Sequence, residues 1–187
     1  ESYAEFADVW KFGWGTAYVE KLLPSKIGLL RQHGITACLG GTLLEIAWSQ
    51  GQASECLDWA EQAGFTAIEV SRGVADMSME AKWELIRTSA QSFRVFAETG
   101  YKSAERPLTP TQWHAEIMGD LAAGAEYIVA EGRESGTVGL YDSHGMPQTE
   151  VIDAALLAAG LDRVLFEAPR KNQQAWFINT HGPEVNM

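Results

Sequence analysis

The sequence predicts an α/β fold of the TIM (β/α)8 barrel type, and three observations carry that prediction. Short apolar runs alternate with amphipathic stretches along the whole chain, the signature of strands followed by helices. Glycine or polar turns separate them. The residues at the strand ends also keep a period: Lys11, Gly40, Glu69 and Glu98 lie 29 residues apart, and Glu131 and Glu167 follow at 33 and 36. About 30 residues per unit reads as a parallel sheet, and in a closed barrel equivalent positions point into one mouth. A doubly wound open sheet is the alternative, because periodicity alone does not show closure.

Taken in order, a first strand begins at Val9 and breaks at Gly13-Trp14-Gly15, and a helix over 22–33 stops at Gly34, a usual C-terminal signal. The strand over 36–39 runs through Gly40-Gly41 into Thr42-Leu43-Leu44-Glu45, whose spacing matches a capping box. Ser54 is the expected N-cap of a helix reaching Gly64, and a strand over 67–70 follows. Next come a helix over 79–89, a strand over 94–97, and a helix that Thr109-Pro110 starts, with Trp113, Ile117 and Leu121 as one apolar stripe. A strand over 127–130, a helix over 149–159, a strand over 164–166 and a helix over 172–180 complete the series.

A further strand is expected to begin at Glu184-Val185-Asn186. No linker or low-complexity tract divides these units, so a single domain over 1–187 is expected. A complete barrel takes about 250 residues. The chain therefore reads as incomplete at one or both termini, or covered by a partner, with a homo-oligomer expected. It lacks an initiator Met and is expected to be a fragment or a processed form.

Composition narrows the partners. With 46% hydrophobic and 21% charged residues the chain is an ordinary globular one, and a net charge of -11 argues against nucleic acid or an anionic membrane surface. Cys38 and Cys56 form no CxxC pair, so free buried thiols in a reducing compartment such as the cytoplasm are expected. No stretch approaches the roughly 18 to 20 apolar residues of a membrane span, and the first residues are no signal peptide. The seven Trp and seven Phe read mostly as core.

Glu45, Glu69, Glu98, Glu131, Glu134 and Glu167 fall at or just past strand ends. Carboxylates converging on one cleft repel unless a cation joins them. Mg²⁺ is the economical answer, with Glu69, Glu98, Glu131 and Glu167 as its candidate ligands, because it prefers carboxylate oxygens and commonly bridges to a substrate phosphate. Glu45 is expected merely to cap its helix. Half of the 14 Lys and Arg, namely Lys11, Arg72, Lys102, Arg106, Arg133, Arg170 and Lys171, also cluster after strands. Arg matches phosphate or carboxylate with its fork, and a Lys at a crowded mouth can donate a proton. A small polyanionic substrate explains acids and bases together. Gly40-Gly41-Thr42 before a helix offers N–H groups to an anion or makes a tight turn.

The stretches Lys11-Phe12-Gly13-Trp14-Gly15-Thr16, Gly40-Gly41-Thr42-Leu43 with Glu45, Glu69-Val70-Ser71, Glu98-Thr99-Gly100-Tyr101-Lys102, Glu131-Gly132-Arg133-Glu134-Ser135-Gly136, Phe166-Glu167-Ala168-Pro169 with Gln173-Gln174, and Gly182-Pro183-Glu184-Val185-Asn186 together resemble the phosphosulfolactate synthases. The resemblance implies a (β/α)8 barrel enzyme that adds sulfite to phosphoenolpyruvate with Mg²⁺, giving (2R)-3-phosphosulfolactate on a route to coenzyme M or related sulfonates. It implies Lys102 as general acid, Arg133 and Mg²⁺ stabilising the enolate-like charge, and Lys11, Gly40, Gly41, Thr42, Ser71 and Ser135 holding anionic groups.

The chain departs from the family pattern at Arg72, where an acid is usual, at Tyr101 for Lys, Gly132 for Ala and Glu184 for Asn. Those departures keep two alternatives open: a barrel lyase or aldolase acting on another phosphorylated enol acid, and a non-enzymatic stress-associated homologue.

Overall fold

Apolar runs of four residues become strands here where parallel neighbours pair with them and helices cover their faces, as β2, β3 and β5 show with almost fully buried residues. The computed structural model describes residues 4–100, 107–133 and 135–187. The chain falls into two compact units, Glu1–Phe96 and Ala97–Met187.

In the first unit, β1 (Val9–Phe12) pairs with β2 (Thr36–Leu39), which pairs with β3 (Ala67–Val70), and the first half of β4 (Arg94–Thr99) follows β3. The register sets Lys11 beside Cys38 and Leu39 beside Ile68. Between the strands run α1 (Thr16–Val19), α2 (Leu23–Gln32), α3 (Gly41–Ser49), α4 (Ala53–Ala63) and α5 (Met79–Ser89). Phe12, Leu39, Ile68 and Phe65 form the centre of this core, with Phe12 and Phe65 meeting edge to face at 5.5 Å. The aromatic residues divide, however: Phe6, Trp10 and Trp14 are exposed, contrary to their expected place in the core.

Two local readings change. Helix α3 begins at Gly41 with Gly40 as N-cap and no side-chain cap, so Thr42 and Glu45 do not form a capping box. Glycine can enter the helix earlier than the hydroxyl the pattern relied on. Likewise α4 starts at Ala53 with Gln52 as N-cap, two residues before the expected Ser54. By contrast Ser78 does cap α5, accepting from the Ala81 N–H.

In the second unit the later half of β4, β5 (Tyr127–Ala130) and β6 (Val164–Phe166) follow in chain order, with Ala130 beside Phe166. Helices α6 (Pro110–Ala123), α7 (Thr149–Ala159) and α8 (Lys171–His181) cover them. A full capping box of Thr109 and Gln112 starts α6, and Gly124, at φ 116°, ends it. Its buried face differs from the expected stripe: Trp113 and Ile117 are joined by Glu116 and Asp120, while Leu121 is half-buried. Asp120 accepts from the Thr99 hydroxyl, which explains an acid on that face. The expected further strand is present as a parallel bridge between Leu165 and Asn186, with the Phe166 N–H donating to the Asn186 carbonyl at 3.0 Å.

Parallel strands in sequential order, each followed by a helix, give the α/β architecture of the (β/α) barrel type, six strands of it among the described residues. No helix there is long and apolar enough to cross a membrane.

Candidate active site

Chemistry-bearing side chains gather at strand ends in each unit. In the first, Lys11 on β1 donates from Nζ to Glu69 Oε2 on β3 at 2.8 Å, and the Gly41 N–H that opens α3 donates to Glu69 Oε1 at 3.0 Å. Glu69 is buried and Lys11 is about one third exposed, at 35%. An ammonium carries three donors, so Glu69 takes one and orients the rest. Glu69 is also the anion that the positive end of α3 meets.

The two glycines are there for space. A Cβ on Gly40 would stand 2.7 Å from the Phe12 carbonyl oxygen, and one on Gly41 would stand 2.6 Å from Ser71 Oγ. The tight-turn reading of Gly40-Gly41 thus has a direct cause. Thr42 follows, half-buried, in the first turn of α3. The Ser71 hydroxyl donates to Glu45 Oε2 at 2.8 Å, and Glu45, expected only to cap α3, is buried and serves that partner instead.

In the second unit, Glu131 and Glu167 are the first residues past β5 and β6. They meet on one donor: the Arg133 N–H reaches Glu131 Oε1 at 2.7 Å and Glu167 Oε2 at 3.0 Å, while the Gly132 N–H reaches the same Glu167 oxygen at 3.1 Å. Arg133 adopts φ 53° to do so, a left-handed conformation that costs a non-glycine residue about 1 kcal/mol or more. The strain lies where two carboxylates converge. Glu98, in β4, is another buried acid at a strand end of this unit. Gly100, at φ 124°, lets the chain pass Glu131, since a Cβ there would lie 2.7 Å from that residue's own Cβ.

Two further residues support the site. Tyr141, buried, donates from its hydroxyl to the Glu167 carbonyl at 2.7 Å, and burial, with Glu167 nearby, pushes its phenol well above the usual range. Gln173 donates to the Gly136 and Gly145 carbonyls and accepts from the Arg170 N–H, tying the loop after β5 to the start of α8. Ser135 is exposed and accepts from the Thr137 hydroxyl. Lys102 and Glu134 lie outside the described residues, and so does Arg106. Among the described residues no group of three or more His, Cys, Asp or Glu is spaced to hold a metal ion.

Residues 1–187 match the family model described as (2R)-phospho-3-sulfolactate synthase. The chain belongs to the phosphosulfolactate synthase family. It is 38% identical over 189 residues to the phosphosulfolactate synthase of Methanocaldococcus jannaschii, covering 98% of this chain and 75% of that one. The Bacillus subtilis phosphosulfolactate synthase is 36% identical over 187 residues, covering 98% and 74%. The protein of that name from Methanothermobacter thermautotrophicus is 34% identical over 193 residues, covering 100% and 75%. The chain thus spans about three quarters of the length of each relative and belongs to a family of enzymes.

Proposed function

We propose that this chain joins sulfite to phosphoenolpyruvate, forming (2R)-phospho-3-sulfolactate. Membership of the phosphosulfolactate synthase family supports the reaction, and the observation that carries its chemistry is the convergence of Glu131 and Glu167 on the Arg133 N–H. In that reaction the sulfur lone pair of sulfite attacks the methylene carbon and forms the C–S bond. The double-bond electrons move toward the carboxylate, and a proton then arrives at C2 while the phosphate ester stays intact.

The second carboxylate charge that develops needs cations. Arg133 is the proposed fork for the substrate carboxylate, and its backbone, pinned to two acids, fixes where the side chain starts. Lys11, oriented by Glu69, is proposed to take the phosphate. Lys102 is the proposed proton donor to C2.

Mg²⁺ fits the second unit's acids by chemistry: two carboxylates held together repel, and Mg²⁺ is commonly bound by one or two carboxylates plus substrate oxygens and water. Glu131 and Glu167 would hold it, with Glu98 of β4 as a further candidate. When bound it would supply Lewis-acid stabilisation of the developing charge. Glu69 is left out of this set because Lys11 and Gly41 engage both of its oxygens.

The test is direct. Purified protein should consume phosphoenolpyruvate only when sulfite and Mg²⁺ are both present, with the sulfonate product seen by phosphorus NMR. Absence of any sulfite-dependent loss ends the proposal. Glu131→Gln should also abolish the thermal stabilisation that Mg²⁺ gives the native protein, a readout independent of turnover.

A further inference from the structure

Glu45 contributes something that no capping role explains. It lies in the second turn of α3, 1% exposed, and its two oxygens are divided among three donors. Oε2 takes the Ser71 hydroxyl at 2.8 Å, and Oε1 takes the backbone N–H groups of Val74 and Ala75. All three donors belong to one turn, the 71–78 connection from β3 to α5. Packing in that turn is sparse: residues 72–76 are half-buried or exposed, and Met77 is its one buried apolar side chain. Hydrogen bonds to a carboxylate are the strong kind.

A second contact fixes the near end of the turn. Ser71 Oγ fills the place a Cβ would take on Gly41, and the same Gly41 donates to Glu69, whose other oxygen holds Lys11. One continuous run of contacts within the first unit therefore links the turn to the Lys11–Glu69 pair. Because the Ser71 proton goes to Glu45, the hydroxyl has only lone pairs left to offer, which suits no anionic oxygen.

We propose that Glu45 is a positioning residue: it clamps the 71–78 turn, sets where Ser71 stands against Gly41 and hence how Gly41 and Glu69 hold Lys11, and thereby sets affinity for the anionic substrate without touching it. The consequence for affinity rests on the reaction proposed above. The clamp does not.

Limited trypsin digestion of the intact protein, followed by mass spectrometry at the Arg72–Gly73 bond, tests the clamp without substrate. Glu45→Ala should speed that cut at least about tenfold, the effect of losing one charge-assisted bond, while unfolding stays cooperative. In turnover assays it should raise the KM for phosphoenolpyruvate about tenfold and lower kcat less than about threefold, since substrate positioning and not proton transfer is disturbed. Glu45→Gln should restore slow cleavage, because its carbonyl still accepts from Val74 and Ala75 and its amide can donate to Ser71. Should Glu45→Ala not fold, Ser71→Ala removes one donor of three and should give an intermediate cleavage rate.

Unchanged cleavage in Glu45→Ala, or Glu45→Gln cut as fast as Glu45→Ala, overturns the proposal. Faster cleavage with an unchanged KM overturns its link to affinity. A protein inert toward sulfite and phosphoenolpyruvate whose Arg72 bond still depends on Glu45 would remove the proposed reaction and leave the clamp standing.

Discussion

Gly132→Ala tests how tightly the second unit's carboxylates are held. A Cβ at residue 132 would lie 2.6 Å from the Glu167 carbonyl oxygen and 2.6 Å from Tyr141 Cε2. Both neighbours are tied to each other, because the Tyr141 hydroxyl donates to that same carbonyl at 2.7 Å, and Glu167 is further held by its N–H to the Ala130 carbonyl at 3.1 Å. The ring therefore cannot swing away without breaking its hydrogen bond. Overpacking of this kind costs about 1–3 kcal/mol, and losing the hydrogen bond adds roughly 1 kcal/mol. A total of about 2–4 kcal/mol corresponds to a fall in Tm of roughly 4–16 °C for a chain of this size. Circular dichroism melts should show it, with Gly28→Ala as control: no atom lies near a Cβ at that helical position, so alanine there should stabilise by about 0.5–1 kcal/mol. A Gly132→Ala protein melting within about 1 °C of the parent, with unchanged KM for phosphoenolpyruvate, would show that neither neighbour is held in place.

Lys11→Met leaves the buried Glu69 carboxylate without its ammonium partner; with Lys11 one third exposed, the loss should be about 1–3 kcal/mol, between surface and buried pairs. Adding Glu69→Gln should recover stability but not phosphoenolpyruvate affinity, and recovery of both would contradict a substrate role for Lys11. The thiols should react slowly: burial raises Cys38 strongly and pushes Cys56 up to about 11, so a disulfide exchange reagent at pH 8 should label Cys56 slowly and Cys38 only after unfolding. Two fast native thiols would contradict this. Asp142 accepts from the Met146 and His144 N–H groups, which hold its carboxyl below the usual range. Its contribution to that turn is present above the ordinary aspartate value of about 3.9 and is lost as pH falls through the lower folded value. The amide signals of His144 and Met146 should therefore titrate together below about pH 4 and become insensitive in Asp142→Asn; signals that stay flat to pH 2.5 would count against it.

The strands were legible in the sequence because a parallel strand buried on both faces reads as an unbroken apolar run, and β2, β3, β5 and β6 begin and end where those runs do. Local patterns misled where the true partner was distant. Thr42 and Glu45 have the spacing of a capping box, yet the donors to Glu45 come from residues 26 to 30 positions away on another turn. Nothing near Glu45 in sequence signals that. Tyr141 and Gln173 were hidden for the same reason, since each acts on carbonyls more than 25 residues away.

The period of acids at strand ends has two physical causes that sequence cannot separate but donors can. A carboxylate at the end of a buried strand is an effective acceptor for the N–H groups of the next loop, so a ring of them can serve as loop anchors with no metal involved. Glu45 and Glu69 are of this kind: both oxygens of each accept hydrogen bonds, from the 71–75 turn in one case and from Lys11 and Gly41 in the other. Glu131 and Glu167 differ, because two carboxylates converge on the Arg133 N–H, which reaches an oxygen of each. That pair is the one proposed to take Mg²⁺, and the donor it shares is a residue held at φ 53°, where replacing Arg133 by Gly would relax the backbone while deleting the guanidinium. Arg133→Gly should be more stable than Arg133→Ala in thermal melts yet equally inactive, the result expected when the proposed catalytic contribution lies in the side chain and the positioning in the backbone; a Gly variant no more stable than the Ala one would contradict it.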